Sequence, residues 1–140
     1  MYKQIILACD GSGYAFRAAK HAARIAKYDT EANVEVVYVV NNGTAKTDII
    51  QGETDIETIA ASRKDRLREI ETVLQQEEVP YKITILHGDP GDTLVQYVNT
   101  GDIDLVIVGS RGLNALQEMV LGSVSHKVAK RVKCPVMIVK

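Results

Sequence analysis

Five short apolar runs, each separated from the next by a helical pattern, constrain the fold of this chain more than any other feature. Runs of this length are typical of buried strands. The five runs are 5–8, 34–40, 81–86, 105–108 and 136–139. Strands that alternate with helices predict a parallel sheet with right-handed crossovers and helices on both faces. The predicted fold class is therefore α/β, a doubly wound five-stranded parallel sheet in three layers, built by a single domain over residues 1–140.

Four helical patterns connect these runs. The first covers about 14–28 and presents a face of alanines that suits close packing on a sheet. The second begins with a capping-box pattern at Thr54 and ends before Pro80. The third begins at Asp89, a capping residue followed by proline in the first turn. The fourth follows Gly122. Each helix therefore has a boundary or a face that the sequence identifies.

A glycine motif, G-x-x-G-x9-G-S, follows the fourth apolar run. It places Gly109 and Gly112 directly after the strand, and Gly122 and Ser123 at the start of the last helix. Glycines let backbone N–H groups approach an anion closely. A helix N-terminus adds unpaired N–H donors and the positive end of the helix dipole. Ser123 adds a hydroxyl donor, so the motif predicts a phosphate-binding site.

Composition limits the partners that the chain is expected to have. It has 17 Lys and Arg against 18 Asp and Glu, a net charge of −1, and its basic residues are scattered along the sequence. We therefore expect no nucleic acid and no anionic membrane as partner. No segment is long enough to span a bilayer, so the cytoplasm is the expected location. Cys9 and Cys134 form neither a disulfide framework nor a metal-ligand cluster, and buried thiols are expected.

Better-known phosphate-site motifs do not fit. The dinucleotide fingerprint needs a small residue where Phe16 stands, because the helix must pack closely on its strand there. No G-K-[ST] sequence occurs, so a P-loop is excluded. A receiver domain needs an aspartate at the end of the third strand, where this chain has Leu86-His87-Gly88. The glycine motif therefore belongs to another class of protein.

The motif and its flanks resemble the ATP-binding branch of the universal stress protein family. The segments 108–112 and 121–124 stand as they do in that family, 5–12 resembles its opening strand and turn, and 134–139 its closing strand. The resemblance covers essentially the whole chain. It implies an adenine nucleotide α-hydrolase-like sheet with strand order 3-2-1-4-5. In this order the turns after the first and fourth strands line one crevice, where such sheets bind ligands.

The resemblance also implies roles for individual residues. Asp10 matches an aspartate near the ribose and phosphates, where a carboxylate can approach a bound Mg²⁺; its alternative is a turn or capping aspartate. Val39 matches the position whose backbone recognises adenine. Arg111 stands where many members have histidine, with a solvated loop arginine as the alternative, and Ser125 is either a second phosphate hydroxyl or a first-turn helix serine. The implied nucleotide-binding residues are Asp10, Val39, Gly88, Gly109, Arg111, Gly112, Gly122, Ser123 and Ser125.

The implied function is that of an ATP-binding regulatory or stress-response protein with little or no turnover, with ADP, AMP or a cyclic nucleotide as alternative ligands. The competing hypothesis is an enzyme that slowly hydrolyses ATP or transfers a group from it. That enzyme needs a positioned base or nucleophile, and beyond Asp10 and His87 the sequence offers none. His87 itself is typical of a structural or surface histidine.

The last apolar run predicts how the chain assembles. It leaves a short apolar strand at a sheet edge, and exposed apolar edges favour pairing. The resemblance implies pairing of these strands across a two-fold axis, which is also the commonest symmetry of soluble oligomers. We expect a homodimer through residues 135–140, and a nucleotide-free structural dimer is the third functional hypothesis.

Overall fold

The structure of the chain, a computed structural model, describes residues 2–9, 13–40, 56–109 and 123–140. Within these ranges the strands are β1 (Gln4–Cys9), β2 (Asn33–Val40), β3 (Tyr81–His87), β4 (Leu105–Gly109) and β5 (Val136–Val139). The helices are α1 (Gly13–Ala26), α2 (Ile56–Gln76), α3 (Pro90–Asn99) and α4 (Ser123–Arg131).

The five strands form one parallel sheet in the order β3-β2-β1-β4-β5. The predicted α/β class and the order 3-2-1-4-5 are both confirmed. β1 lies at the centre, and its residues Ile6 and Leu7 are fully buried on opposite faces of the sheet. The direction of winding reverses between β1 and β4, so a crevice is expected at the carboxyl ends of these two strands.

Two apolar clusters cover the two faces of the sheet. One joins β1 and β2 to α1 and α2, and the other joins the opposite face to α3 and α4. The alanine face predicted for the first helix is confirmed for its described side chains, because all five are buried and bring α1 close to the sheet. These alanines are Ala18, Ala19, Ala22, Ala23 and Ala26.

A buried carboxylate interrupts the second cluster. Glu35 in β2 accepts hydrogen bonds from the hydroxyls of Tyr97 in α3 and of Thr84 in β3, the latter at 2.6 Å. The Nζ of Lys82 lies 3.8 Å from its second oxygen. Because buried charge is costly unless it is paired, these three partners explain how β2 accommodates a glutamate. The hydrogen bonds of Glu35 hold α3 against the side of the sheet where β3 is the edge strand.

The end of α2 is a Schellman motif with an unusual residue. The N–H of Val79 donates to the carbonyl of Leu74 and that of Glu78 to the carbonyl of Gln75, both at 3.0 Å. Glu78 takes the left-handed position with φ of 58°, where glycine is normally found. Val79 is buried next to Leu74, which provides the apolar contact that usually accompanies this motif.

Replacing Glu78 by glycine is expected to stabilise the fold. A side chain in the left-handed region costs roughly 1–2 kcal/mol, and the greater freedom of glycine in the unfolded chain offsets part of that gain. We expect Glu78→Gly to raise the free energy of unfolding by about 0.5–1 kcal/mol in urea titrations. The matched control is Gln76→Gly, inside the last helical turn, which should lower it by a similar amount. A loss of stability in Glu78→Gly would contradict this account of the helix end.

The hydroxyl of Tyr97 gives the fold an alkaline pH dependence. Its pKa is raised above the ordinary value of 10.0, first because it donates to the Glu35 carboxylate and then because it is partly desolvated. A raised folded-state pKa stabilises the protein below pH 10, and this contribution is lost as the pH rises through the folded pKa.

We therefore expect Tyr97→Phe to lower the free energy of unfolding by about 1 kcal/mol at pH 8, since Glu35 loses a donor. The variant should also lose less stability than the parent between pH 9 and pH 11.5. Tyr28→Phe is the control, because Tyr28 is 91% exposed and should leave both quantities unchanged. Identical alkaline profiles for Tyr97→Phe and the parent would refute the role of this hydroxyl.

Candidate functional site

The carboxyl ends of β1, β2 and β4 bring several predicted residues to one edge of the sheet. Cys9, which precedes Asp10, pairs with Tyr38, which precedes Val39. On the other side of β1, Ala8 pairs with Val108, so Gly109 follows at the same level. The described ends of three strands therefore lie side by side at the crevice that the strand order implies.

Four of the predicted residues, Asp10, Arg111, Gly112 and Gly122, lie outside the described residues. Their roles remain predictions from the motif. Ser123 is the first residue of α4, as the glycine motif predicts for a helix start. Gly109 is the last residue of β4, which extends one residue past the predicted run 105–108. The described part of the motif is therefore a strand end and a helix N-terminus, and its phosphate-binding role stays a prediction.

Ser125 connects the two halves of the glycine motif. Its side chain is buried, and its Oγ donates a hydrogen bond of 2.9 Å to the carbonyl oxygen of Gly109. A hydroxyl has one proton, so in this arrangement it cannot also donate to a phosphate. The geometry favours the structural alternative for Ser125, a serine that holds the first turn of α4 against the end of β4.

Gly88 lies beside the adenine position expected at Val39. Its N–H donates to the carbonyl of Val40 at 3.0 Å and extends the pairing of β2 with β3, in which Val39 faces Leu86. Gly88 has φ of 141°, and a Cβ there would lie 2.5 Å from Oγ1 of Thr93. Glycine is therefore required on conformational and on steric grounds, and β2 continues one residue past Val39.

A charged network joins the loop after β3 to α4. Asp89 caps α3 by accepting the N–H of Asp92 at 3.0 Å, which confirms its predicted role. The Nζ of Lys127 lies 3.4 Å from a carboxylate oxygen of each aspartate, and Arg131 lies 3.5 Å from Asp92. The N–H of Asp92 is the main cause of the lowered pKa of Asp89, and the hydrogen bonds with Asp89 and Asp92 raise the pKa of Lys127.

Sequence reasoning missed Lys127 and Arg131 as supports of the site. Their i, i+4 spacing on the last helix, opposite the Asp-x-x-Asp sequence at the start of α3, is the signal that was available. The network fixes the loop that contains Gly88 relative to α4, and it therefore connects the expected adenine side of the crevice to the expected phosphate side.

The remaining candidate residues show no catalytic arrangement within the described ranges. His87 is exposed at the end of β3, and Cys9 is buried in the first apolar cluster. Cys134 packs against the second cluster, on the opposite face of the sheet. Among the described residues, no three His, Cys, Asp or Glu side chains are grouped as a metal site would need. No helix in these ranges is long and apolar enough to cross a membrane.

We expect Gly88→Ala to lower the free energy of unfolding by at least about 2 kcal/mol, because it adds both backbone strain and a clash with Thr93. Urea titration measures the change. Gly101→Ala is the matched control, since a Cβ there meets its nearest atoms at the ordinary distance of 3.6 Å. The control should shift stability by less than about 0.5 kcal/mol. Equal effects of the two substitutions would rule out the strained geometry of Gly88.

Comparison with known proteins agrees with the fold. The family model described as the universal stress protein family matches residues 1–140. Universal stress protein MJ0531 of Methanocaldococcus jannaschii is 30% identical over 142 residues, which cover 100% of this chain and 83% of that protein.

Solved structures agree as well. The structure of protein MJ0577, from the same organism, has a TM-score of 0.79 at 28% identity and covers 100% of this chain and 96% of its own. A universal stress protein solved in complex with cAMP has a TM-score of 0.70 at 27% identity, with 99% and 96% of the two chains covered. With a family match that extends from the first residue to the last, this chain belongs to the universal stress protein family.

Proposed function

We propose that this protein binds an adenine nucleotide at the carboxyl ends of β1, β2 and β4 and acts as a nucleotide-dependent regulatory protein with little or no turnover. The observation that carries the proposal is the hydrogen bond from Ser125 to Gly109, which holds the N-terminus of α4 beside the end of β4. The relative solved with cAMP, at 27% identity, supports an adenine nucleotide as the ligand class.

The phosphate end of the proposed ligand lies at the glycine motif. The first turn of α4 offers backbone N–H donors and the positive end of the helix dipole to an anion. Gly109, Gly112 and Gly122 allow the backbone to approach it, and Ser123 supplies a hydroxyl. Ser125 contributes by positioning the helix. ATP is the proposed nucleotide, with ADP and AMP using the same motif.

Mg²⁺ fits this proposal when it enters with the nucleotide. Magnesium is usually held by one or two carboxylates together with substrate phosphates. Asp10 is the carboxylate proposed for this role. The two described aspartates of the neighbouring loop, Asp89 and Asp92, both pair with Lys127, and Asp92 also pairs with Arg131, so two positive charges balance them. The ion would therefore reduce the electrostatic repulsion between the Asp10 carboxylate and the phosphates.

The adenine end of the ligand is proposed to lie beside Val39, where backbone groups can recognise the base. Gly88 follows the end of β3 next to this position and adds no side chain there. The charged network through Lys127 links this side of the crevice to α4. A nucleotide that contacts both sides can thus change how α3 and α4 are held, which is the shift in population that a regulatory ligand needs.

We also propose that two copies pair through β5. This strand lies at the edge of the sheet, and its side chains Val136, Met137 and Ile138 are only half-buried in the single chain. An apolar edge of this kind is stabilised by a second strand. Pairing across a two-fold axis through residues 135–140 covers both edges at once.

Calorimetric titration with ATP and Mg²⁺, and then with AMP and cAMP, tests the nucleotide proposal. We expect the parent to bind, and Gly112→Val/Gly122→Val to lose at least about tenfold in affinity, because side chains block the close backbone approach. Gly101→Ala is the control and should bind as the parent does. Light scattering on the same samples reports whether they are dimers.

The same samples are assayed for release of ADP. Binding without sustained turnover supports the regulatory function. Sustained hydrolysis that the double valine variant lacks would replace it with the enzyme hypothesis. Absence of binding to all three nucleotides would refute the proposal and leave the structural dimer as the remaining hypothesis.

A further inference from the structure

The first turn of α3 and the middle of α4 are in close contact through one lysine. Gly91 of α3 is buried, and a Cβ added there would lie 2.6 Å from Cδ of Lys127 and 3.3 Å from its Cβ. The aliphatic stem of the lysine therefore crosses the backbone of α3 at this glycine, while its charged end can remain in water. The missing side chain at position 91 is what lets Lys127 lie so close to the start of α3.

The ammonium group of Lys127 lies between two carboxylates of that same turn. Its Nζ is 3.4 Å from Oδ2 of Asp89 and 3.4 Å from Oδ1 of Asp92. Arg131, one turn later on α4, also lies 3.5 Å from Asp92. Exposed ion pairs are individually weak, but several charges in a network can hold two elements together. Lys127 is thus attached to α3 both by its stem and by its charge.

The two elements that Lys127 joins lead to the two sides of the proposed nucleotide site. Asp89 directly follows Gly88, in the loop beside the adenine position expected at Val39. On α4, Lys127 comes about one helical turn after Ser123, the first residue of the helix, where the phosphates are expected. The contact between Lys127 and α3 therefore helps to set the spacing between the adenine side and the phosphate side of the crevice.

Other contacts hold α3 and α4 without setting this spacing. Ser125 joins the start of α4 to β4, and Tyr97 joins α3 to β2. At the far ends of the two helices, the side chain of Asn99 donates to the carbonyl of Arg131 at 3.0 Å and accepts the N–H of Lys133 at 2.9 Å. Without the contact of Lys127, the helices would stay joined at their far ends and could separate at the crevice.

We propose that Lys127 is a positioning residue for the nucleotide: it fixes the spacing between the loop after β3 and the N-terminus of α4, across which the nucleotide binds. The inference rests on the nucleotide-binding function proposed above and names a residue that tunes the affinity of that site. A ligand that spans two sides binds more tightly when their spacing is fixed, because less freedom is lost on binding. Lys127 acts through α3 and makes no contact with the ligand.

Two substitutions disrupt this contact by different routes, and calorimetric titration of the full chain with ATP measures their effect. Lys127→Met removes the ammonium group and keeps an apolar stem of similar length against Gly91. Gly91→Ala keeps the charge and displaces the stem, which a new Cβ would meet at 2.6 Å. We expect each variant to lower the affinity about three- to tenfold, the size expected from the loss of two exposed ion pairs.

The matched control is Lys130→Met, which makes the same change in charge at an exposed position of the same helix and should retain the parent affinity within about twofold. Urea titration separates positioning from loss of the fold. Alanine favours a helix more than glycine does, and the clashing stem is flexible, so Gly91→Ala should keep or raise the urea midpoint although it binds ATP less tightly. Parent affinity in Gly91→Ala, or an equal loss in Lys130→Met, would overturn the proposal.

A series of ligands distinguishes positioning from direct contact. ATP, ADP and AMP all span both sides of the proposed site, so positioning predicts the same fold loss for the three ligands in Lys127→Met. A loss that grows with the number of phosphates would indicate an ion pair between Lys127 and the ligand and would overturn the positioning role. Equal binding by Lys127→Met and the parent would overturn this inference alone, whereas a parent that binds none of the three nucleotides would overturn the proposed function as well.

Discussion

The parallel pairing of β1 between β2 and β4 is the constraint on which the rest of the structure depends. A strand buried on both faces must be apolar throughout, and β1 meets this requirement from Ile5 to Cys9. Parallel pairing also directs every strand the same way, so all carboxyl ends meet at one edge. The loop that contains Gly88, the end of β4 and the N-terminus of α4 share that edge for this reason. The position of the candidate site thus depends first on the parallel direction of the strands and only then on individual side chains.

Two buried polar side chains in the described ranges, Glu35 and Ser125, connect elements that apolar packing alone would leave free to slide. Glu35 joins β2 to β3 and α3, and Ser125 joins β4 to α4. In the described ranges no buried side-chain nitrogen or oxygen lacks a hydrogen-bond partner. Such bonds have directional geometry, which contacts between apolar groups do not, so they define the register of a helix on a sheet.

The apolar runs predicted the strands closely, because each run is short and has its own boundary residues. The third run, 81–86, becomes Tyr81–His87, and the last, 136–139, is found as Val136–Val139. The start of α3 was also predictable, because a capping aspartate before proline is a local signal. Strand order came from the family resemblance, since no local pattern specifies which strands are neighbours.

Interactions between distant residues could not be predicted in the same way. Glu35 is 49 residues from Thr84 and 62 from Tyr97, and nothing in the apolar run around it names these partners. For Asp10, Arg111, Gly112 and Gly122, which lie outside the described residues, the roles stay predictions. Gly88 and Ser125 gained a physical explanation that the motif alone did not supply.

The two edges of the sheet differ in chemistry. β5 presents Val136, Met137 and Ile138, whereas β3 carries the exposed Lys82, whose charge serves Glu35. A lysine on an edge strand discourages another strand from pairing there. A sheet that joins others through two edges grows into a filament, because each added copy presents a fresh surface. In the proposed dimer, a sheet with one receptive edge would complete its assembly at two copies, and the charge that pairs with a buried glutamate would also limit the size of the particle.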